Sequence, residues 1–297
     1  MTFDAVIVIQ LLIDGIIRGS MYGLMGMGMA LVFGIMGLIN FAHGELFMIG
    51  AYIMYYMTVA AGLPAGLGII VAALSLFAVG IALERGLFSP LRRRLGENWL
   101  VDGYVLTIGL LIVMQNLALV GFGARERGIA TLVPGRFHVG DIILTFERVT
   151  IFLVALVTVG VFAAFMRFTF TGRAIRATAE NHEAAQALGI DVRRSYTITF
   201  GIGAGLIGGV GGLLISIYPA MPTVGGDILL KGFVVVVIGG LGNVWAAMLA
   251  GPLLGIIESF SLVFASGGWQ HVISAGLVLI VLAVRPAGLF SKMATRP

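Results

Sequence analysis

The chain has 297 residues, of which 59% are hydrophobic and only 11% charged, and its mean hydropathy is +1.08. Soluble globular chains carry about 25% charged residues, so this composition argues against a water-soluble domain and makes lipid the main solvent. The net charge of +4 sits in short loops between apolar runs, a topology signal with no nucleic-acid motif beside it.

The opening MTFDAVIVIQ has no basic n-region and no small-residue cleavage site, so it reads as a retained first helix. Apolar runs fall at about 5–17, 20–39, 46–61, 64–88, 103–123, 149–168, 198–218, 228–238, 244–265 and 270–286. They predict an all-α polytopic membrane protein, one transmembrane domain over 1–297, with about eight to ten transmembrane or half-spanning helices. The 228–238 run is short of the roughly 20 residues that a straight span needs, and suits a half-helix or re-entrant segment.

Between the second and third runs lies GLINFAHGELFMIGAY, residues 37–52. It places Asn40, His43 and Glu45 within six residues of a very apolar region. Ionisable groups at bilayer depth are costly and usually pair or face a cavity. The glycine-containing turn between Asn40 and Glu45 predicts a helix break, tolerated only where protein or water covers the bared backbone. Three readings stay open. The residues bond to one another and cap the break, they line the substrate path, or they lie at the cytoplasmic interface and shape gating. A metal site is not supported, because no H-E-x-x-H, second nearby His or Cys accompanies His43.

The loop around ERGLFSPLRRR holds Arg85, Arg92, Arg93 and Arg94. The stretch from Arg167 to Arg194 holds five arginines, and the tail holds Arg285, Lys292 and Arg296. These mark one side as cytoplasmic, the C-terminus included. The loop 124–148 is expected outside, as a small cap in which VGDIILTFERV suggests a hairpin. Intramembrane Gln115, Asn116 and Glu258 read as interhelical bonds or interface contacts, and Asp227 and Lys231 as snorkelling near a helix end. The run GIGAGLIGGVGG (201–212) predicts close helix packing, with a hinge as the alternative. Gly240-Leu-Gly-Asn243 echoes Gly37-Leu-Ile-Asn40, and such paired interruptions can mark a binding site.

The cytoplasmic loop 171–194 contains a helix-forming middle, with Thr178 as a candidate N-cap and Gly189 as the C′ stop. Ala184, Ala185 and Leu188 give it a small apolar face, better suited to a protein groove than to lipid.

GLINFAHGELFMIGAY, GRAIRATAENHEAAQALGID and GFVVVVIGGLGNVWAAMLAGPLLGIIES together resemble branched-chain amino acid ABC transporter permeases of the LivH type. The resemblance runs from about Gly19 to Gly288. It implies an ABC importer permease fold in a bacterial inner membrane. It also implies a related second permease, two cytoplasmic ATPase subunits that use the ATP, and a periplasmic substrate-binding protein. This chain would bind no cofactor and carry no catalytic residue, in keeping with its lack of a G-x-x-x-x-G-K-[ST] motif. The resemblance puts Gly172, Arg173, Arg176, Ala177, Ala185, Leu188 and Gly189 in the ATPase contact, and Asn40, His43, Glu45 and Asn243 are the candidates for the substrate path. Other amino acids, urea and short amides are also cargo in this family. The rival readings are an ion-coupled secondary transporter or channel using Glu45 or Glu258, and an intramembrane enzyme, for which G-x-S-x-G and H-E-x-x-H are both missing.

Overall fold

A computed structural model describes residues 5–140, 142–264 and 269–290; Lys292 and Arg296 of the basic tail lie outside the described residues. Twelve α-helices are described, with one two-stranded hairpin. They are α1 (Ala5–Met36), α2 (His43–Tyr55), α3 (Ala65–Leu83), α4 (Ser89–Leu95), α5 (Trp99–Phe122), α6 (Phe146–Phe168), α7 (Phe170–Glu180), α8 (His182–Ala187), α9 (Val192–Leu213), α10 (Val224–Gly239), α11 (Val244–Phe264) and α12 (Trp269–Val284). Among the described residues, six helices are long and apolar enough to cross a membrane: Val6–Met36, Ala65–Leu95, Trp99–Phe122, Phe146–Phe168, Val192–Leu213 and Val244–Val263. The first two apolar runs are therefore one continuous helix. The residues between them, Arg18 and Gly19, do not interrupt it, because Gly19 does not take a positive φ and no proline there removes a hydrogen bond.

Contacts divide the chain into two compact units, with boundaries inside α1, α6 and α10. The first comprises residues 1–30, 131–157 and 230–297. In it α1 and α11 meet along glycines. A Cβ on Gly15 would lie 2.6 Å from Ile256 Cα, and one on Gly23 would lie 2.8 Å from Met248 O. Gly19 opposes Pro252, and Gly251 and Gly255 oppose α1 in return. Gly15, Gly19 and Gly23 repeat every four residues and so share one face, which lets the two backbones approach closely. The hairpin pairs β1 (Arg136–Val139) with β2 (Ile142–Thr145) in antiparallel register. The predicted hairpin is present, but FERV belongs to α6. The Gln10 amide clamps β2, donating to Ile143 O at 3.2 Å and accepting from Ile143 N at 3.3 Å, while Asp14 pairs with Arg148.

The second unit comprises residues 31–130 and 158–229. Its centre is α9, packed between α3 and α2. On one side a Cβ at Gly208 would lie 2.6 Å from Leu76 Cβ, and on the other a Cβ at Gly211 would lie 3.1 Å from Ala51 N. The glycine run of α9 therefore serves the close packing expected of it. A π-helical turn, Glu84–Phe88, joins α3 to α4, and fully buried Glu84 is held by both Nη atoms of Arg92. The start of the segment 124–148 is tied down by Arg127, which exchanges backbone hydrogen bonds with Ala220 and donates to Phe122 O and the Tyr56 hydroxyl.

Candidate functional site

The break predicted at Asn40 is present. Helix α1 ends at Met36, Gly37 takes a φ of +67°, and α2 begins at His43. Glycine reaches that left-handed backbone without a Cβ penalty. Asn40 then organises the turn: its Oδ1 accepts from Ala42 N at 2.9 Å, and its carbonyl accepts from His43 Nδ1 at 2.7 Å. A carbonyl can only accept, so Nδ1 carries the proton and Nε2 is left as an acceptor. The Phe200 ring of α9 stacks on His43 at 6.2 Å.

Glu45 does not join this network. It is 1% exposed, and its carboxylate lies where a Cβ on Gly225 would come within 2.7 Å of Oε1. Only a glycine at 225 leaves that space. Asn40 Nδ2, His43 Nε2 and Glu45 Oε2 are buried and have no hydrogen-bond partner among the described residues. The same holds for Tyr52 OH and Thr199 Oγ1. Leaving such a group unpaired costs about 1–3 kcal/mol, and native buried polar atoms are generally satisfied by protein or water. Capping thus explains half of each side chain: Asn40 Oδ1 and His43 Nδ1 are used in the turn, while their other polar atoms are not.

Asn243 is an N-cap. Its Oδ1 accepts from Ala246 N at 3.0 Å at the start of α11, after Gly240 and Gly242 with φ of +113° and +81°. The echo between Gly37–Asn40 and Gly240–Asn243 is therefore structural: a positive-φ glycine, then an asparagine whose side chain accepts from a backbone N–H at the entry to the next helix. Asn243 belongs to the first unit, and Asn40, His43 and Glu45 to the second.

The segment 171–194 holds two helices where one was expected. Thr169 Oγ1 accepts from Gly172 N at 2.9 Å and caps α7, and Asn181 Oδ1 accepts from Ala184 N at 2.9 Å and caps α8. Thr178 is not an N-cap; it lies inside α7 and donates back to Ala174 O. Gly189, at φ +81°, ends α8 as predicted, with Ile190 N donating to Ala185 O and Gly189 N to Gln186 O. That pair of bonds is a Schellman motif. Gly172 packs tightly against Phe165 and Met166, which leaves no room for a side chain. Arg173 and Arg176 are exposed, Ala177 is half-buried, and Leu188 is 82% exposed. Ala185 is 2% exposed, so it faces the chain's own fold and not a partner.

Residues 11–282 match the family model described as branched-chain amino acid transport system / permease component. The chain belongs to this permease family. It is 33% identical to the high-affinity branched-chain amino acid transport system permease protein BraD of Pseudomonas aeruginosa, over 96% of both chains. It is 32% identical to the corresponding permease protein LivH of Escherichia coli K12, again over 96% of each. A second Escherichia coli permease protein, LivM, is 26% identical over 93% of this chain and 68% of its own. No solved structure matches.

As a member of this family the chain is a multi-pass membrane transport permease, not an enzyme, and the carrier and enzyme rivals lose their support. Sequence reading of the permease missed or misread four features. Thr199 and Tyr52 carry no local motif, and their unpaired burial emerges only from packing. The GxxxGxxxG face of α1 was legible as spacing but lay inside a run read as two helices. Lys231 does not snorkel. It is 6% exposed and bonded to Glu258, because its position on α10 faces α11 and α12. Asn116 is exposed and bonds Ile112 O of its own helix at 2.7 Å, so among the described residues it makes no interhelical bond.

Proposed function

We propose that this chain is the transmembrane subunit of an ABC importer for branched-chain or related amino acids. It would sit in a bacterial inner membrane with its C-terminus in the cytoplasm. What carries the reading is the family match across residues 11–282, since the related proteins are permease components of branched-chain amino acid transport systems. In this reading it pairs with a second, related permease and receives cargo from a periplasmic binding protein. Two cytoplasmic ATPase subunits bind and hydrolyse the ATP, and the chain itself binds no cofactor. The α7–α8 segment is the contact to the ATPases, through exposed Arg173, Arg176 and Leu188, with Gly172, Ala177, Ala185 and Gly189 fixing its shape.

The mechanism is alternating access. Closure of the ATPases moves α8, and glycine-lined interfaces let whole helices shift as packed units. The break at Asn40–Glu45 supplies polar atoms with no partner among the described residues, and a passing ammonium or carboxylate group finds acceptors and a donor there.

The test is uptake of radiolabelled leucine into vesicles holding this chain, its partner permease, the ATPases and the binding protein. Uptake that needs ATP and the binding protein is the expected result. Uptake by the chain alone, driven by an ion gradient, would refute it.

A further inference from the structure

At the end of the second unit where α4 meets the start of α9, the protein surface opens into a cleft of about 350 Å³. Helix α4 contributes Ser89, Arg92 and Arg93, the end of α8 contributes Gln186, and the start of α9 contributes Asp191, Arg193 and Tyr196. Ser89, Arg92 and Arg93 stand at i, i+3 and i+4 and so share one helix face.

The wall is rigid. Arg92 is held by both carboxylate oxygens of Glu84, and its guanidinium lies 4.3 Å from the Tyr196 ring centroid and 5.2 Å from that of Trp99. Its charge is already matched. Arg93 and Arg193 are exposed and have no ion-pair partner among the described residues. Asp191 adds one negative charge, but its Oδ1 accepts from Arg194 N at 3.0 Å and caps α9. Two free guanidinium charges against one carboxylate leave a single excess positive charge. Ser89 is 7% exposed, lines the cleft, and its hydroxyl has no hydrogen-bond partner among the described residues. The N-terminal end of α9 adds its own partial positive charge.

Planar guanidinium forks suit phosphate oxygens, and the small excess charge suits a singly charged phosphodiester better than a multiply charged ion. Depth favours the same ligand. The apolar span Ala65–Leu95 has 31 residues, or about 45 Å at ~1.5 Å per residue. That exceeds the roughly 30 Å hydrocarbon core, so α4 at its end reaches the headgroup layer. We infer that this cleft is a phosphate site for the headgroup of an anionic phospholipid on the cytoplasmic leaflet, a role separate from the transport path and independent of the proposed cargo.

The full chain, purified in detergent, is titrated with phosphatidylglycerol, with phosphatidylcholine and with inorganic phosphate, and bound molecules are counted by native mass spectrometry. The variants are Arg93→Gln, Arg193→Gln and both together, with Arg167→Gln as a basic-surface control outside the cleft. Phosphatidylglycerol is expected to bind with preference over phosphatidylcholine. The double variant should lose roughly tenfold or more of that affinity, as removal of two charge-assisted contacts implies, and Arg167→Gln should not. Loss of inorganic phosphate binding alone in the double variant keeps the site and makes its source a soluble phosphate. Unchanged binding of both in the double variant overturns the proposal. Unchanged lipid binding with reduced co-purification of ATPase subunits overturns it in favour of a protein-docking groove.

Discussion

Lys231 on α10 donates to Glu258 on α11, and both side chains are buried. Ser274 of α12 donates to the same carboxylate oxygen at 2.6 Å, and Tyr22 of α1 donates to the other at 3.0 Å. One carboxylate thus ties four helices of the first unit together. Every oxygen of Glu258 has a partner, in contrast to Glu45 in the second unit. The two intramembrane glutamates therefore divide: one is a structural node and the other is chemically open.

Removing one partner of the Lys231–Glu258 pair leaves a buried charge uncompensated, which costs about 3–5 kcal/mol in comparable buried pairs. Lys231→Met and Glu258→Leu should each lower the melting temperature of the detergent-purified protein strongly. The double substitution should recover most of the loss, because a matched apolar replacement of a buried pair is often neutral. Simple additivity of the two losses in that cycle would show that the residues do not act on one another.

Adjacent glycines of α9 should respond differently to the same methyl group. A Cβ at Gly211 runs into the Phe47 carbonyl and lies 3.1 Å from Ala51 N, all backbone. At Gly209 the nearest atom is Ala73 Cβ at 3.3 Å. Gly211→Ala must push α2 away and should cost about 1–3 kcal/mol or more, as overpacking does, while Gly209→Ala should fall near zero. Thermal melting of the two variants side by side checks this; equal melting temperatures would contradict the α2–α9 contact.

The all-helical class and the break at Asn40 were legible because they depend on composition, local glycine and asparagine chemistry. Gly189 was legible for the same reason, since a C′ glycine is a local device. What escaped the sequence depends on helix orientation about its axis. Lys231 looks like a snorkelling residue until α11 and α12 enclose it. Ala185 and Leu188 look alike as members of one apolar face, yet packing leaves one buried and the other exposed. Thr178 matched an N-cap only while α7 was thought to begin after it. Thr169, the true cap, sits nine residues earlier at the end of an apolar run, where nothing sets it apart.

That difference between Ala185 and Leu188 decides how ATPase coupling is tested. Leu188→Glu changes a side chain that is 82% exposed and should leave the melting temperature within about a degree or two, since surface changes are usually within about 0.5 kcal/mol. It should weaken co-purification with the ATPase subunits and substrate-stimulated ATP hydrolysis by roughly tenfold, a loss of about 1.4 kcal/mol. Ala185→Glu should instead unfold the α7–α8 segment by burying a charge, visible as faster proteolysis there. Full coupling in the Leu188 variant would remove α8 from the docking surface.

Glu45→Gln separates charge from shape at the break. The amide fits the space that Gly225 leaves, so the fold should survive and the melting temperature should change little. What changes is Oε2, a buried acceptor with no partner among the described residues, which becomes or loses a site depending on which way the amide faces. If Glu45 meets the ammonium group of a passing amino acid, ATP-dependent leucine uptake should fall by roughly tenfold or more, the scale of one lost charged hydrogen bond. ATP hydrolysis by the partner subunits should continue, because α7 and α8 are untouched. His43→Asn is the companion variant: its shorter amide can place a nitrogen where Nδ1 stands, still donate to Asn40 O and hold the turn, but it has no atom at the Nε2 position to accept there. Wild-type uptake in both variants would reduce Asn40, His43 and Glu45 to the architecture of the break.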